Sequence, residues 1–428
     1  MMKRRALLQG LGGGSAAVLA GGLTGCATVG QNAQAKVVVI GGGYAGATAA
    51  KYLRLWSNGG VDVTMVEPNP AFYSCPLSNL VVAGMRGMKD ITTPYDNLTK
   101  RHGVKVVQDM VVAVDTDKRK VKLAGGAELP YDRLVVSPGI DFMYEQLPGL
   151  SSVLDQNRVV HAWKAGGQTV TLAKQLQAMP DGGVFAIAVP PSPYRCPPGP
   201  YERASLVADY FKKNKPRSKV LILDPHKDVV AKGKLFKAAW AEKYQGILEH
   251  MPNHKLEDVD VASGTLKFEF SPDVKADVLN VIPAMKAGGI ARGMGLANVN
   301  NRWCDVDFLT YESKVIPNVH VLGDSIAATP GMPKSGFMAN QHAKTCAAAI
   351  VAMTQGQAVP NHPIFANTCY SFVDAEEACH VSAVYAYDEG KKQMVKVKES
   401  GGLSAGSDRV GAAYAQAWAD NIWADMLA

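Results

Sequence analysis

Short apolar runs alternate with helical patterns along this chain. Lys36-Val37-Val38-Val39-Ile40 reads as a buried strand, and Ala47-Thr48-Ala49-Ala50-Lys51-Tyr52-Leu53 reads as a helix. A second strand spans Val61 to Val66, and β-structure is expected from Val104 to Leu129. Leu134-Val135-Val136-Ser137-Pro138-Gly139 is a strand running into a turn. The rhythm returns downstream: a strand from Gly182 to Val189, a helix from Arg203 to Asn214, and a strand from Lys219 to Leu223. Val319 to Leu322 is a strand closed by Gly323-Asp324, and a further helix is expected from Gly336 to Met353. Strands alternating with helices in this order predict an α/β fold.

The turn after the first strand carries chemistry. Gly41-Gly42-Gly43-Tyr44-Ala45-Gly46 is G-x-G-x-x-G between a strand and a helix. Gly41 permits the tight turn, Gly43 lets the backbone approach a pyrophosphate, and Gly46 lets the helix pack on the strand. The helix N-terminus then faces the phosphates. Glu67 closes the second strand about 20 residues after Gly46, where an acid takes the ribose hydroxyls. The Pro138-Gly139 turn and the distant Gly323-Asp324 turn give the sequence the look of a two-dinucleotide-fold flavoprotein. In such proteins the terminal acid, here Asp324, lies near the ribityl chain and pyrophosphate of FAD.

The second unit has the strand and lacks the glycines. After Val189 comes Pro190-Pro191-Ser192-Pro193-Tyr194-Arg195-Cys196-Pro197-Pro198-Gly199-Pro200-Tyr201-Glu202. Prolines have no N–H for a pyrophosphate, and their rings block close approach. The following strand still ends in an acid, Asp224. The expectation is a retained fold with an abolished nucleotide site, which argues against a pyridine-nucleotide reductase.

Composition narrows the class. The 428 residues are 47% hydrophobic and 19% charged, as in a globular chain with ample core. The body has no apolar run long enough to make a multispanning membrane protein. The net charge of +7 falls to about +4 without the first 35 residues, too little for a nucleic-acid footprint. No C-x-x-C or C-x-x-C-H occurs among the seven cysteines, so no zinc ribbon and no attached c-type haem is expected.

The amino terminus reads as an address. Lys3-Arg4-Arg5-Ala6-Leu7-Leu8 resembles a twin-arginine export signal, and a short apolar stretch follows from Gly10 to Leu23. An ordinary secretory signal is the alternative. Leu23-Thr24-Gly25-Cys26 resembles a lipobox that would anchor the protein through a lipid on Cys26; Ala33-Gln34-Ala35 is a rival cleavage site. Either way the expected location is the periplasm, where disulfides persist.

Four strings carry a more specific resemblance: Phe72-Tyr73-Ser74-Cys75-Pro76-Leu77-Ser78-Asn79, His161-Ala162-Trp163-Lys164-Ala165-Gly166, Arg195-Cys196 through Ser205, and Asn367-Thr368-Cys369-Tyr370-Ser371. With them the chain resembles the flavoprotein subunit of flavocytochrome c sulfide dehydrogenase. With the export signal read over 1–35, the resemblance implies an FAD domain from segments 36–149 and 291–360, a degenerate Rossmann domain over 150–290, and a small α+β flavin-binding domain over 361–428. It implies FAD bonded through Cys75, a redox-active disulfide between Cys196 and Cys369, and Glu202 as an acid/base beside it. It further implies oxidation of sulfide to sulfur or polysulfide, with electrons passed to a separate cytochrome c subunit that carries the haem. The cofactor-contacting residues are then Gly41, Gly43, Gly46, Glu67, Cys75, Pro138, Gly139 and Asp324, with no metal site.

The remaining cysteines, Cys304, Cys346 and Cys379, read as buried and inert. His161, Trp163 and Lys164 read as structural, with lining of a site as the alternative, and Trp418 and Trp423 as packing for the small domain, with electron transfer as the alternative. Three rivals share the fold: a sulfide:quinone oxidoreductase, an accessory flavoprotein of thiosulfate oxidation, and a flavin electron-transfer subunit with a structural disulfide. The first needs an amphipathic membrane-inserting C-terminus. Ala412 to Ala428 has apolar residues but also Asp420 and Asp425 and no Lys or Arg, a poor match to an anionic membrane.

Overall fold

The computed structural model describes residues 34–428. The twin-arginine string, Cys26 and the start of the Ala33-Gln34-Ala35 motif lie outside them.

The first sheet is wholly parallel and has five strands. Its order is Val319–Val321, Arg133–Val136, Ala35–Ile40, Val61–Val66, Lys105–Val107. Two helices, Tyr44–Trp56 and Gly336–Thr354, pack on each other beside it. Val37, Val38, Val39, Val63, Met65, Val135 and Val136 are almost fully buried, which is why these strands read as continuous apolar runs. Both helices extend beyond the expected spans, to Tyr44 and Trp56 in the first and to Thr354 in the second.

The second sheet is also parallel, in the order Leu248–Met251, Lys219–Leu223, Val184–Ala188, Val278–Val281. The helix beside it spans Gly199–Asn214, so it starts earlier than Arg203. Pro200 sits in its first turn, where a missing N–H breaks no helical bond. The strand Ile140–Phe142 pairs antiparallel with Met285–Ala287 and joins the chain where it leaves and re-enters the first lobe.

The C-terminal part is an antiparallel sheet of Ile364–Phe372, Ala378–Asp388 and Gln393–Lys396, followed by a helix over Arg409–Leu427. That helix is tied inward. Asp425 accepts hydrogen bonds from Tyr52 (2.5 Å), Asn340 (2.7 Å) and Lys344 (3.0 Å), all from the first lobe. Among the described residues, no helix is long and apolar enough to cross a membrane.

Candidate active site

The first cleft is built by the glycine turn. Gly41 has φ +94°, and a Cβ there would lie 2.6 Å from the Ser137 carbonyl oxygen. A Cβ on Gly46 would lie 1.8 Å from the Gly41 oxygen, so no side chain fits between helix and strand. Gly43 precedes the Tyr44–Trp56 helix without a side-chain cap, which leaves the first N–H groups of the helix facing the cleft. Glu67 accepts from the Gly42 N–H (2.7 Å) through one oxygen and from the Asn69 backbone (2.9 Å) and amide (2.6 Å) through the other. The walls of the cleft include Gly41, Gly43, Glu67, Cys75, Pro138, Gly139 and Asp324. Gly46 lies beneath it.

Asp324 sits on the turn after the Val319–Val321 strand. One carboxylate oxygen is buried with no hydrogen-bond partner; the other is 3.8 Å from Arg195. Burial raises its pKa, and Arg195 and Lys334 oppose the rise. A buried acceptor with a free oxygen, an open glycine turn and an uncapped helix N-terminus fit a ribityl–pyrophosphate ligand. The residues present therefore suit FAD.

A second cavity adjoins the first. Cys75, Cys196, Cys369 and Glu202 all line it, together with Trp163, Phe337 and Trp418. Cys75 and Arg195 belong to both cavities. Cys75 follows the short strand Ala71–Tyr73, and its sulfur accepts from the Ala165 N–H at 3.4 Å. Cys196 is held in a left-handed conformation (φ +57°), with its N–H on the Lys334 carbonyl at 2.9 Å. A Cβ on Gly199 would come 3.0 Å from the Cys196 sulfur, so that glycine makes room for the thiol. Burial pushes the Cys196 thiol well up, and the neighbouring Cys369 and Glu202 push it further. Cys369 lies within the Ile364–Phe372 strand. Cys196 and Cys369 are unbonded thiols in the structure.

Glu202 comes from the first turn of the Gly199–Asn214 helix. One oxygen accepts from the Phe372 N–H (2.8 Å) and the other from the Asn79 amide (2.7 Å). Burial raises its pKa despite these two donors. Arg203, 1% exposed, braces the same corner. It donates to Asn79 (2.9 Å), Asn280 (2.8 Å) and the carbonyls of His161 (2.9 Å) and Ala162 (2.6 Å), and its guanidinium lies 5.0 Å from the Trp163 ring. Burial pushes Arg203 down to about 10.

For Trp163 and Lys164 the structure favours the lining alternative: Trp163 walls the cysteine cavity and Lys164 the glycine cleft. Trp418 also walls the cysteine cavity, and its buried indole N–H has no protein partner. Trp423 reaches the first lobe, donating to the Tyr44 hydroxyl at 3.2 Å. The reason is the inward docking of the C-terminal helix, which local pattern does not reveal. Arg195, Asn79, Arg203, Lys232 and Lys334 had no assigned role. Cys304, Cys346 and Cys379 are buried. Among the described residues, no cluster of His, Cys, Asp or Glu could hold a metal ion.

Three family models match. Residues 169–283 match the central part of the sulfide dehydrogenase (flavocytochrome c) flavoprotein chain, and residues 361–427 match the flavocytochrome c sulphide dehydrogenase flavin-binding model. Residues 35–176 match pyridine nucleotide-disulphide oxidoreductase. The sulfide dehydrogenase flavoprotein chain of Chlorobaculum thiosulfatiphilum is 54% identical over 46 residues, 11% of this chain and 94% of that relative. The chain belongs to the flavocytochrome c sulfide dehydrogenase flavoprotein family. The mitochondrial sulfide:quinone oxidoreductase of Dictyostelium discoideum is 27% identical over 68% of this chain, and the match covers 65% of that relative, just under two thirds of its length. The solved sulfide:quinone oxidoreductase of Aquifex aeolicus shares the fold, with a TM-score of 0.75, 19% identity, and coverage of 92% of this chain and 91% of that one.

Proposed function

We propose that the protein is an exported flavoenzyme that oxidises hydrosulfide at Cys196 and Cys369 and passes the electrons through FAD to a separate cytochrome c subunit. The observation that carries this reading is the shared cavity: Cys196, Cys369 and Glu202 line one wall system, and Cys75 and Arg195 connect it to the glycine cleft.

Hydrosulfide is a strong nucleophile towards a disulfide. It attacks Cys196, a new S–S bond forms there, and the Cys196–Cys369 bond breaks. Cys196 then carries a persulfide and Cys369 a thiolate. A second hydrosulfide displaces the Cys196 thiolate and leaves as hydrogen disulfide. Re-forming the cysteine disulfide releases two electrons, which FAD accepts when bound. Per cycle, two hydrosulfides give one hydrogen disulfide, one proton and two electrons. Glu202 supplies a proton to the departing sulfur and recovers it; burial keeps its carboxyl protonated at higher pH than an exposed glutamate.

A thioether from Cys75 to FAD suits an enzyme that works in the periplasm, where lost FAD is not replaced. Export by the twin-arginine route and a lipid on Cys26 complete the proposal. Yellow colour that survives acid precipitation, carried by the Cys75 peptide, is the expected sign of the bond; release of free FAD contradicts it.

The named relatives favour one alternative, delivery of the electrons to a quinone. The test is a parallel assay of the FAD-loaded protein with sulfide, offering a c-type cytochrome in one cuvette and a short-chain quinone in the other. Cytochrome reduction with an inert quinone supports the proposal. The opposite result assigns the quinone role, and no reduction in either refutes sulfide oxidation.

A further inference from the structure

Lys232 belongs to the central lobe and works on the C-terminal strand. It precedes the Gly233–Lys243 helix in a left-handed conformation (φ +58°) and is 5% exposed. Its ammonium donates to the Cys369 carbonyl at 2.6 Å and to the Ser371 hydroxyl at 2.8 Å. Both acceptors are neutral. Among the described residues, no carboxylate lies within 4.0 Å of it to form an ion pair.

The titratable groups that feel its charge come from three elements. They are Cys196 on the proline loop, Glu202 on the Gly199–Asn214 helix, and Cys379 on the Ala378–Asp388 strand; Cys369 is reached directly, through the hydrogen bond to its carbonyl. Arg195 acts on Cys196 and Arg203 on Glu202, so the corner is rich in cations. Burying an ammonium against neutral oxygens is unfavourable unless an anion appears beside it. The proposed reaction creates one on each cycle, the thiolate left on Cys369. Because Lys232 is fastened to that residue's own peptide group, its distance from the sulfur is set by a single side chain.

We propose that Lys232 is the fixed counter-charge of the Cys369 thiolate and makes Cys369 the leaving sulfur when the disulfide is attacked. A sulfur whose anion is stabilised leaves faster. Hydrosulfide therefore bonds to Cys196, the Cys196–Cys369 bond breaks, and the electron pair stays on Cys369 beside the ammonium. Burial opposes an anion on Cys196, which points the same way. Lys232 is a positioning residue, since it acts through the field on Cys369 and not by touching substrate. The inference rests on the reading of the pair as a redox disulfide.

The test uses FAD-loaded protein, reduced under argon with a phosphine. Alkylation by iodoacetamide is followed against pH on the separate Cys196 and Cys369 peptides by mass spectrometry. In the unmutated protein the Cys369 midpoint should lie below that of Cys196. Lys232→Met should raise the Cys369 midpoint by about one pH unit or more, roughly tenfold less thiolate near neutral pH. Lys232→Arg should restore it, and Ser371→Ala, which removes a hydrogen bond and keeps the charge, should leave it in place. An unmoved midpoint in Lys232→Met, or an equal movement in Ser371→Ala, overturns the proposal. Should Lys232→Met lose FAD, the unmutated protein decides alone: a Cys196 midpoint at or below that of Cys369 refutes it. No sulfide is present, so a protein inert to sulfide fails the functional reading and not this one.

Discussion

Two regions of this chain share one plan, strand, turn, helix, strand and terminal acid, and put it to opposite uses. At the first, Ala35–Ile40 leads through glycines into an uncapped helix, and Glu67 borders an open cleft. At the second, Val184–Ala188 leads into prolines. The Gly199 N–H is taken by the Cys196 carbonyl (2.9 Å), Pro200 has none, and the Glu202 N–H binds the Pro198 carbonyl (3.0 Å). Two amides of that first turn are thus taken and a third is missing, so the turn has lost the row of free N–H groups that holds a phosphate. The acid has changed use as well. Asp224, fully buried, accepts from Tyr201 (2.7 Å), His250 (3.0 Å) and His226 (2.7 Å), so it closes the core and has no ribose to bind. The comparison teaches that the strand and acid define the fold, whereas free N–H groups at the turn define the nucleotide site. At the second turn the vacated position holds Cys196.

The largest expected effect breaks the first region. Gly46→Val places its Cβ 1.8 Å from the Gly41 oxygen, so protein that folds should come out of purification without flavin absorbance. Normal FAD content in that variant contradicts the account of the turn. Next is the second region's acquired chemistry. Glu202→Gln cannot supply a proton and should slow sulfide turnover by about a hundredfold with FAD content unchanged. Its sign with pH follows from burial, which raises the Glu202 pKa. The native fold favours the protonated form, so activity in the unmutated protein should fall as pH rises through that pKa. The Gln variant should lose that alkaline limb.

Asp224→Asn should leave FAD binding and turnover nearly intact and cost about 1–3 kcal/mol of stability in urea unfolding. Burial pushes the Asp224 carboxyl up, but hydrogen bonds from His226, His250 and Tyr201 outweigh it and hold the carboxyl well below the usual range. A depressed pKa stabilises above the unfolded value and loses that contribution as pH falls. The difference between Asp224 and Asn should therefore be full above about pH 5 and shrink below about pH 4. The smallest expected effect is none at all. NADH and NADPH should bleach the flavin no faster than buffer, and fast anaerobic reduction by either means the proline turn still accepts a nucleotide.

What the sequence shows and hides follows from distance along the chain. The glycine turn and Glu67 lie within one strand–helix–strand unit, so local pattern locates them. The prolines at the second turn are equally local. The meeting of Cys196, Cys369 and Glu202 depends on a C-terminal strand crossing onto the central lobe, and only the family resemblance anticipated it. Arg203 reaches Asn79 and Asn280, and Lys232 reaches Cys369; no periodicity encodes such pairs. Trp418 reads as packing for a small domain because nothing near it in the sequence names a partner in the first lobe. That helix docks against the first lobe through Asp425, and this carries Trp418 into the cysteine cavity.

The central claim is that electrons reach the flavin only through the cysteine pair, across the wall shared by the two cavities. Its most direct test is stopped-flow mixing of the FAD-loaded protein with sulfide under argon, comparing the unmutated protein with Cys196→Ser and Cys369→Ser. The account predicts rapid bleaching of the unmutated flavin. Both serine variants should stay yellow, folded and FAD-bound, with bleaching slowed by at least about a thousandfold. Bleaching of either variant at the unmutated rate contradicts the claim, because sulfide would then be reducing the flavin without the disulfide.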